Sequence, residues 1–499
     1  MRRSALVSAG GVAVLAFGAG LALAAPGSAA AQTADCASLS GAGLFASTTI
    51  TDAKVVPADP AKGLPAYCEV TGVIRPVAGS NIGVVYRLPE GWNGKMLGLG
   101  GGGWAGNVTL PAAAGGLKAH YATAQTDAGH PSTSVWETAW ASNPEAVTDF
   151  AYRAMHLMTE TGKQVVARYY GRPQSKAYYQ GCSTGGRQGL MEVQRFPDDY
   201  DAAIVGAPVY NLIVQTSAVV RNEIFSSPGA ALTNEILAKV NAHVLQACDA
   251  QDGDKDGLIT DPRACGWDPA EMQCKPGESG ADCLTPGQVK ALRQAYAGVK
   301  TRGGRVAAWP LARGGETGWS RFISTGKPDP TGGGGLGGLR GPIMGEPDFD
   351  LSKFDPDRDL SKIRGGAFAK AYEANDPDIR AFTRRGGKLL MWHGWSDPGP
   401  SPIGTITYFR EADGKLGAGQ TSARLFLLPG VEHCGGGPGP SQVDLLGALD
   451  QWVQTGRAPA TLIATKSSPP LTRPICAFPT TARYGGAGDL DDPKNFQCR

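Results

Sequence analysis

The sequence predicts an α/β fold with a mostly parallel sheet and one large insertion. Short apolar segments of strand length alternate with helical stretches, and a glycine-rich or polar loop follows most of these strands. This alternation is typical of parallel sheets, in which functional residues collect where the strands end. With 499 residues, the chain is long enough for one large domain with an inserted segment, or for two domains.

Five apolar segments are the predicted strands. They are 96–99, 177–180 and 203–205, with the apolar runs of KLLMWHGWSDP and ARLFLLPGVEHC, which begin at Lys388 and Ala423. After the second of them, the apolar residues of RQGLMEVQRF recur at helical spacing and stop at Pro197. We therefore assign residues 32–208 and 388–499 to the two parts of the sheet domain.

The segment 209–387 differs in composition and predicts a lid domain. It opens with a helical pattern, NEILAKVNAHVLQAC, and then becomes rich in Gly, Pro, Asp and Cys. Long segments of this kind inside an α/β domain usually cover or shape a functional site.

The first 31 residues have the order of a secretory signal peptide. Arg2 and Arg3 precede an apolar run, and small residues follow up to a predicted cleavage after Ala31. A membrane anchor is the alternative, but the run is rich in Ala and Gly and breaks at Pro26. The two arginines give little support for twin-arginine export. We expect a secreted or periplasmic protein, with no membrane contact after cleavage.

Composition excludes some classes of protein. Charged residues make up 18% of the chain, and 47 Lys and Arg nearly balance 45 Asp and Glu. A nucleic-acid-binding protein would need a basic face, so nucleic acid is not an expected partner.

Because disulfides persist in oxidising compartments, the ten cysteines of an exported chain are predicted to form five disulfides. The cysteines are Cys36, Cys68, Cys182, Cys248, Cys265, Cys274, Cys283, Cys434, Cys476 and Cys498. Short loops favour three pairs, 248 with 265, 274 with 283, and 476 with 498. Sequence alone does not determine the connectivity.

The stretch GCSTG at 181–185 is a Gly-x-Ser-x-Gly motif around Ser183. About one such match is expected by accident in so glycine-rich a chain, so the motif needs its context. Here a predicted strand precedes it and a predicted helix follows. In α/β-hydrolases this sharp strand-to-helix turn exposes a nucleophilic serine above the sheet, which makes Ser183 the predicted nucleophile.

A serine nucleophile needs a base and an acid. In α/β-hydrolases both follow the serine, which leaves His243, His393 and His433 as candidate bases. His433 is favoured because it lies in a loop after a strand, whereas His243 falls in a helical pattern. His393 is a closer rival, but it precedes the best acid, Asp397 of HGWSDP, and is expected to be a structural partner. A surface-loop histidine and a turn aspartate remain the alternatives for the chosen pair.

Two further features support this interpretation. The oxyanion of the transition state needs backbone N–H donors, and we predict those of Thr184 and Gly102, with Gly103 next. In addition, Cys182 precedes the predicted nucleophile and Cys434 follows the predicted base. If that serine and histidine are hydrogen-bonded, the two cysteines lie close enough for a disulfide, which leaves Cys36 and Cys68 to pair.

Seven motifs in order resemble the tannase and feruloyl esterase family of secreted α/β-hydrolases, which includes a hydrolase of mono-(hydroxyethyl) terephthalate. They are GGGGWAG, TDAGH, GCSTGGRQGL, CDAQDGDKDGLI, GGETGW, HGWSDP and EHCGGGPG. The resemblance implies a 182–434 disulfide, Asp397 as the acid, and a lid that supplies the pocket for an aromatic acid.

The segment DAQDGDKDGL, residues 249–258, predicts a calcium loop, because clustered carboxylates repel one another without a hard cation. It is not an EF-hand, since Arg263 stands where the bidentate Glu belongs. The alternative is a solvated Asp/Gly turn. The family resemblance implies a structural Ca²⁺ held by the side chains of Asp249, Asp252 and Asp256 and by the backbone oxygens of Asp254 and Leu258. No organic cofactor is expected.

The resemblance implies a serine esterase for small aromatic esters of hydroxycinnamic or gallic acids, including those attached to plant polysaccharide or polyphenol. Two alternatives remain: an esterase of the same fold for other acyl groups, such as terephthalate monoesters, and a non-catalytic binding protein on a hydrolase scaffold. Trp309 and Trp319 are candidates for stacking on the aromatic acid, or equally for the core of the lid.

Overall fold

The computed structural model describes residues 34–278, 282–323, 338–417 and 419–499. The predicted signal peptide, 1–31, lies outside the described residues.

Ten strands form one large sheet at the centre of the fold. In chain order they are β1 (Gly41–Phe45), β2 (Thr48–Val56), β3 (Tyr67–Ile74), β4 (Ile82–Pro89), β5 (Lys95–Leu99), β6 (Ala122–Thr126), β7 (Lys176–Cys182), β8 (Ala202–Gly206), β11 (Lys388–Gly394) and β12 (Ala423–Leu428). Their spatial order is β1-β2-β3-β4-β6-β5-β7-β8-β11-β12. From β6 to β12 every neighbouring pair is parallel, which confirms the predicted sheet, whereas β1 to β4 and the β4–β6 pair are antiparallel.

Helices cover both faces of the sheet and fill the connections. Those of the sheet domain are α1 (Leu110–Lys118), α2 (Pro144–Thr148), α3 (Ala154–Tyr170), α4 (Thr184–Arg195), α11 (Pro402–Leu416) and α12 (Leu445–Thr455). Consecutive residues of a strand point to opposite faces, so Tyr178 and Tyr179 of β7 are both fully buried in different core clusters. This burial on both sides explains why the central strands are apolar without alternation.

Between β8 and β11 the chain leaves the sheet. This insertion contains α5 (Ile213–Ser226), α6 (Asn234–Cys248), α7 (Pro286–Ala297), β9 (Val299–Lys300), β10 (Val306–Ala308), α8 (Pro356–Gly365), α9 (Ala367–Tyr372) and α10 (Arg380–Arg384). Its first half has a core of its own, which includes Trp267 and Trp319. Its second half packs against loops of the sheet domain through a cluster that includes Trp104 and Phe150.

The C-terminal segment forms two small antiparallel sheets. Their strands are β13 (Gln442–Val443), β14 (Thr461–Ser467) and β15 (Pro470–Cys476) in one, and β16 (Ala482–Tyr484) and β17 (Phe496–Cys498) in the other. Across the described ranges, no helix combines the length and the apolar character that a membrane span requires.

The strand order reverses around β5, and this reversal places several loops together. The loop after β5 lies beside the loop after β7, because these strands are neighbours, while the loops after β8, β11 and β12 open at the same edge. In open α/β sheets ligands bind where the order reverses. The chain puts its glycine loop, Ser183, Asp397 and His433 at this edge.

Candidate active site

Ser183 stands on a strained turn between β7 and α4. Its φ of 63° and ψ of −123° are unusual for a residue with a side chain. The turn is possible because its neighbours are glycines: a Cβ at Gly181 would lie 2.5 Å from the carbonyl oxygen of Gly185. The chain therefore holds the Ser183 hydroxyl above the end of the sheet, as the motif predicted.

Ser183, His433 and Asp397 form a continuous chain of hydrogen bonds. His433 Nε2 lies 2.9 Å from Ser183 Oγ, and His433 Nδ1 lies 2.7 Å from Asp397 Oδ2. A carboxylate only accepts, so Nδ1 carries the proton and Nε2 is free to accept the serine proton. The structure thus brings together three residues that are 36 to 250 positions apart in sequence.

Asp397 is completely buried, yet its surroundings favour the ionised form. Burial alone would raise its pKa, but the charge of His433 and the hydrogen bonds from His393 and His433 lower the pKa below its ordinary value. The N–H of Gly399 also donates to its second oxygen at 2.8 Å. A buried carboxylate held in this way can orient His433 and stabilise an imidazolium.

The glycine loop after β5 is fastened to α4. The N–H of Gly185 donates to the carbonyl of Gly101 at 2.9 Å, and the Thr184 hydroxyl donates to the carbonyl of Gly103 at 2.6 Å. Gly102, Gly103 and Thr184 line the same cavity as Ser183. Thr184 is the first residue of α4, so its backbone N–H has no acceptor within the helix, whereas Gly102 forms an isolated antiparallel bridge with Ala105.

A disulfide joins the turn that carries Ser183 to the loop that carries His433. Cys182 and Cys434 are bonded with their Cα atoms 6.0 Å apart, across a sequence separation of 252. The other predicted pairs are confirmed as well: Cys36–Cys68, Cys248–Cys265, Cys274–Cys283 and Cys476–Cys498. The bridge next to Ser183 and His433 covalently fixes the distance between the two loops that carry them.

A cavity of about 770 Å³ opens above Ser183, between the sheet edge and the insertion. Its walls are mainly apolar and aromatic. They include Trp104, Val135, Trp136, Val209, Val214, Ala218, Phe322, Ile323 and Tyr372. A cavity of this size and lining suits a small organic ligand with an aromatic ring.

The segment 314–323 of the insertion touches the loop that carries Asp397 and the loop that carries His433, and the sequence did not reveal these contacts. Phe322 contacts His433 edge-on, with ring centroids 5.2 Å apart. Arg321 forms an ion pair of 2.6 Å with Glu432. Ser396, beside the acid, donates to the carbonyl of Gly314 at 3.4 Å. The motif GGETGW could be recognised in the sequence, but the residues that it contacts could not be predicted from it.

Neither tryptophan that the sequence offered for stacking lines this cavity. Trp319 is 1% exposed and packs on Phe225 and Tyr296, so the alternative, a place in the lid core, is correct. Trp309 faces Gly404 at the start of α11, and its carbonyl accepts from Arg221. The cavity takes its aromatic walls from other segments of the chain.

The predicted calcium loop is a compact acidic turn that Arg473 partly neutralises. Arg473 pairs with Asp254 at 3.0 Å and with Asp256 at 2.8 Å. Burial raises the pKa of Asp249 and Asp252, and raises that of Asp256 to about 6. In the part of the chain that the structure describes, no three acidic, His or Cys side chains converge as metal ligands.

Two observations bear on whether a cation fits this loop. Asp249 Oδ1 is buried without a hydrogen-bond partner, and the loop offers only oxygen donors, which Ca²⁺ prefers. The residues of the loop are therefore suitable calcium ligands, and Oδ1 of Asp249 is an oxygen that could bind the ion. Leu258 packs closely on Gly430, so the acidic turn also supports the loop that leads to His433.

The chain resembles known esterases over most of its length. The sequence model of the tannase and feruloyl esterase family matches residues 68–320 and 336–499. Mono(2-hydroxyethyl) terephthalate hydrolase of Piscinibacter sakaiensis is 32% identical over 517 residues, which cover 88% of this chain and 85% of that protein. A probable feruloyl esterase of Arthroderma benhamiae is 32% identical, covering 84% of this chain and 82% of that one.

A solved structure agrees with these sequence matches. The crystal structure of feruloyl esterase B from Aspergillus oryzae superimposes with a TM-score of 0.84 at 26% identity, covering 91% of this chain and 97% of that chain. The match confirms the α/β-hydrolase fold, and the esterase relatives set aside the alternative of a non-catalytic binding protein. The chain belongs to the tannase and feruloyl esterase family and is a carboxylic ester hydrolase.

Proposed function

We propose that the protein is a secreted serine esterase that hydrolyses esters of phenolic acids, either hydroxycinnamic or gallic. The observation that carries the proposal is the Ser183–His433–Asp397 chain of hydrogen bonds on the floor of an aromatic cavity. Five disulfides support an oxidising compartment. Esters bound to plant polysaccharide or polyphenol are the expected sources of substrate.

The reaction proceeds in two half-reactions. Ser183 Oγ attacks the ester carbonyl while His433 Nε2 accepts the hydroxyl proton, and the oxyanion accepts hydrogen bonds from the N–H groups of Gly102 and Thr184. The imidazolium then donates that proton to the leaving alcohol, which leaves an acyl-enzyme. Water attacks the acyl group by the same proton route, and the acid and free Ser183 are released. Asp397 remains ionised throughout and holds the His433 tautomer.

The lining of the cavity favours a neutral aromatic acyl group. Trp136 and Phe322 keep exposed ring surface that a substrate ring can contact, whereas Trp104 and Tyr372 reach the cavity wall but are almost fully buried. The arginines among the described lining residues are already engaged: Arg221 donates to the carbonyls of Pro398 and Trp309, and Arg321 pairs with Glu432. A phenolic acyl group carries no charge, so it can bind without a free arginine in the cavity.

A terephthalate monoester is the second candidate substrate. It is favoured by the 32% identity with the Piscinibacter sakaiensis hydrolase over 88% of this chain. Its free carboxylate would have to compete with Glu432 for Arg321, or recruit a carbonyl-bound Arg221. Because of this competition, a terephthalate monoester is less favoured than a phenolic ester.

A substrate panel distinguishes the two candidates. We expect kcat/KM for methyl ferulate or methyl gallate to exceed that for mono(2-hydroxyethyl) terephthalate and for an acetyl ester by about 10-fold or more, since the ring is bound without an unpaired charge. Initial rates at equal ester concentration measure this. A terephthalate monoester that is hydrolysed fastest would overturn the phenolic assignment while leaving the nucleophile in place.

We also propose that the acidic turn binds a structural Ca²⁺. Asp249, Asp252 and Asp256 would supply side-chain oxygens, and Asp254 and Leu258 would supply backbone oxygens. Bound calcium would offset the mutual repulsion of the carboxylates. The orphaned oxygen of Asp249 supports this proposal, and the ion takes no part in the reaction.

Calcium removal is expected to destabilise the protein. Adding EGTA should lower Tm by about 3 °C or more, and excess Ca²⁺ should restore it, because a ligand that binds only the folded state stabilises that state. Differential scanning fluorimetry measures the shift. Asp252→Asn should abolish the response, whereas Asp282→Asn, at a lid side chain that is 93% exposed, should retain it. Identical melting with and without EGTA would argue against calcium.

A further inference from the structure

Asp397 is in contact with two imidazoles rather than one. His433 Nδ1 lies 2.7 Å from Asp397 Oδ2, and His393 Nε2 lies 3.1 Å from the same oxygen. His433 approaches from the cavity, while His393 is fully buried beneath the acid and lies outside the cavity lining. A single carboxylate oxygen thus accepts from both sides.

The proton positions of His393 follow from its neighbours. Nε2 faces Asp397 Oδ2 and the carbonyl oxygen of Pro400, also at 3.1 Å, and both can only accept. Nε2 therefore carries a proton. Nδ1 lies 2.8 Å from Thr405 Oγ1, whose hydroxyl can donate to it. Every polar atom of the ring then has a partner, and the orientation of the ring is determined.

Other charges near this group are few. Among the described residues, the titratable or charged groups that face Asp397 are His393 on β11, His433 on the loop after β12, and Arg221 on α5, whose charge acts on Asp397. Arg221 reaches the acid loop through the carbonyls of Pro398 and Gly399, and donates to neither oxygen of Asp397. His393 is consequently the buried side chain that donates directly to the acid.

We propose that His393 is a positioning residue for Asp397: its Nε2–H holds Oδ2 in place from the buried side, so that the same oxygen faces His433. The inference rests on the proposed function, because it assigns His393 a role through the Ser183–His433–Asp397 chain. Thr405 contributes by fixing the tautomer of His393. No proton is transferred through His393, which only donates its hydrogen bond.

Loss of the hydrogen bond from His393 should change the pH profile of the enzyme. The hydrogen bond from His393 lowers the pKa of Asp397, so its loss raises the proton affinity of the carboxylate that accepts from His433. In the active form Asp397 is ionised and Nε2 of His433 is free to accept the serine proton. The acid limb of kcat/KM, which reports the free enzyme, should therefore move to higher pH when the donor is removed.

The test is the pH profile of kcat/KM for methyl ferulate in His393→Leu, His393→Gln and Thr405→Val. We expect His393→Leu to lower kcat/KM about 10-fold and to move the acid limb up by about 0.5 to 1 pH unit, since one hydrogen bond to a charged group is lost. His393→Gln retains a donor and should recover part of both effects. Thr405→Val should give a smaller shift in the same direction.

Thr407→Val is the matched control. Its hydroxyl donates to the carbonyl of Ile403 within the same helix, so the acid limb should not move. An acid limb that stays in place in folded His393→Leu and Thr405→Val would overturn the proposal, and if His393→Leu does not fold, Thr405→Val decides. Labelling of wild-type Ser183 by a fluorophosphonate separates the two hypotheses: absent labelling contradicts the proposed function, whereas labelling with an unmoved limb contradicts only the role of His393.

Discussion

Ser183→Ala is expected to reduce kcat for methyl ferulate and methyl gallate by at least about 10⁴-fold, because the proposed acyl-enzyme forms on the Ser183 hydroxyl. The residual rate would come from oxyanion donors and ligand binding alone. The fold should be retained, since among the described residues the hydroxyl bonds to His433 Nε2, and alanine can occupy the same strained backbone position. Single-turnover assays and far-UV circular dichroism measure the two outcomes.

Ser227→Ala is a suitable control for that variant. Its hydroxyl lies on the surface of the insertion and donates to the carbonyl of Glu223, so activity should remain within about twofold of wild type. An undiminished rate in Ser183→Ala would contradict the proposed nucleophile, whatever its substrate preference.

Removing the Cys182–Cys434 disulfide should give the second-largest effect. In Cys182→Ala with Cys434→Ala, the turn that carries Ser183 and the loop that carries His433 lose their covalent link, and a misplacement of about 1 Å costs about 100-fold in rate. We expect kcat to fall about 10- to 100-fold. Both cysteines line the cavity, so mild reduction should reach this bond and reduce turnover below the temperature of unfolding.

A second disulfide provides the control for this experiment. Cys274→Ala with Cys283→Ala also removes one bridge, but it closes a separation of 9 residues in the insertion and does not line the cavity. Its kcat should stay within about twofold of wild type. Equal losses in both double variants would mean that the 182–434 bridge acts on general stability rather than on the geometry of the site.

The residues of the site that could be predicted from sequence are those whose order along the chain is fixed in α/β-hydrolases. Ser183 is marked by its glycines and by the strand and helix around it, and His433 and Asp397 each follow a strand. The 182–434 disulfide follows from that assignment, because bonded side chains bring their chain neighbours together.

Contacts between distant segments could not be predicted in this way. His393 was predicted to be a structural partner, but its contact with Asp397 was not, since the direction of its ring depends on the packing of β11 against α11. Arg473 lies 217 positions from Asp256, and no local pattern indicates their ion pair. The antiparallel strands β1 to β4 carry no motif, so they were not predicted, although the burial of β3 alternates along the strand. Trp319 suited a core and a stacking surface equally well until its neighbours were known.

The most direct test of the central claim is active-site titration with a fluorophosphonate, followed by peptide mass mapping. A serine that His433 deprotonates should be phosphonylated once per molecule, on the peptide that contains Ser183, with loss of esterase activity in proportion. Labelling should disappear in Ser183→Ala and remain in Ser227→Ala. Stoichiometric labelling at another residue, or full esterase activity with Ser183 unmodified, would contradict the assignment of Ser183 as the nucleophile.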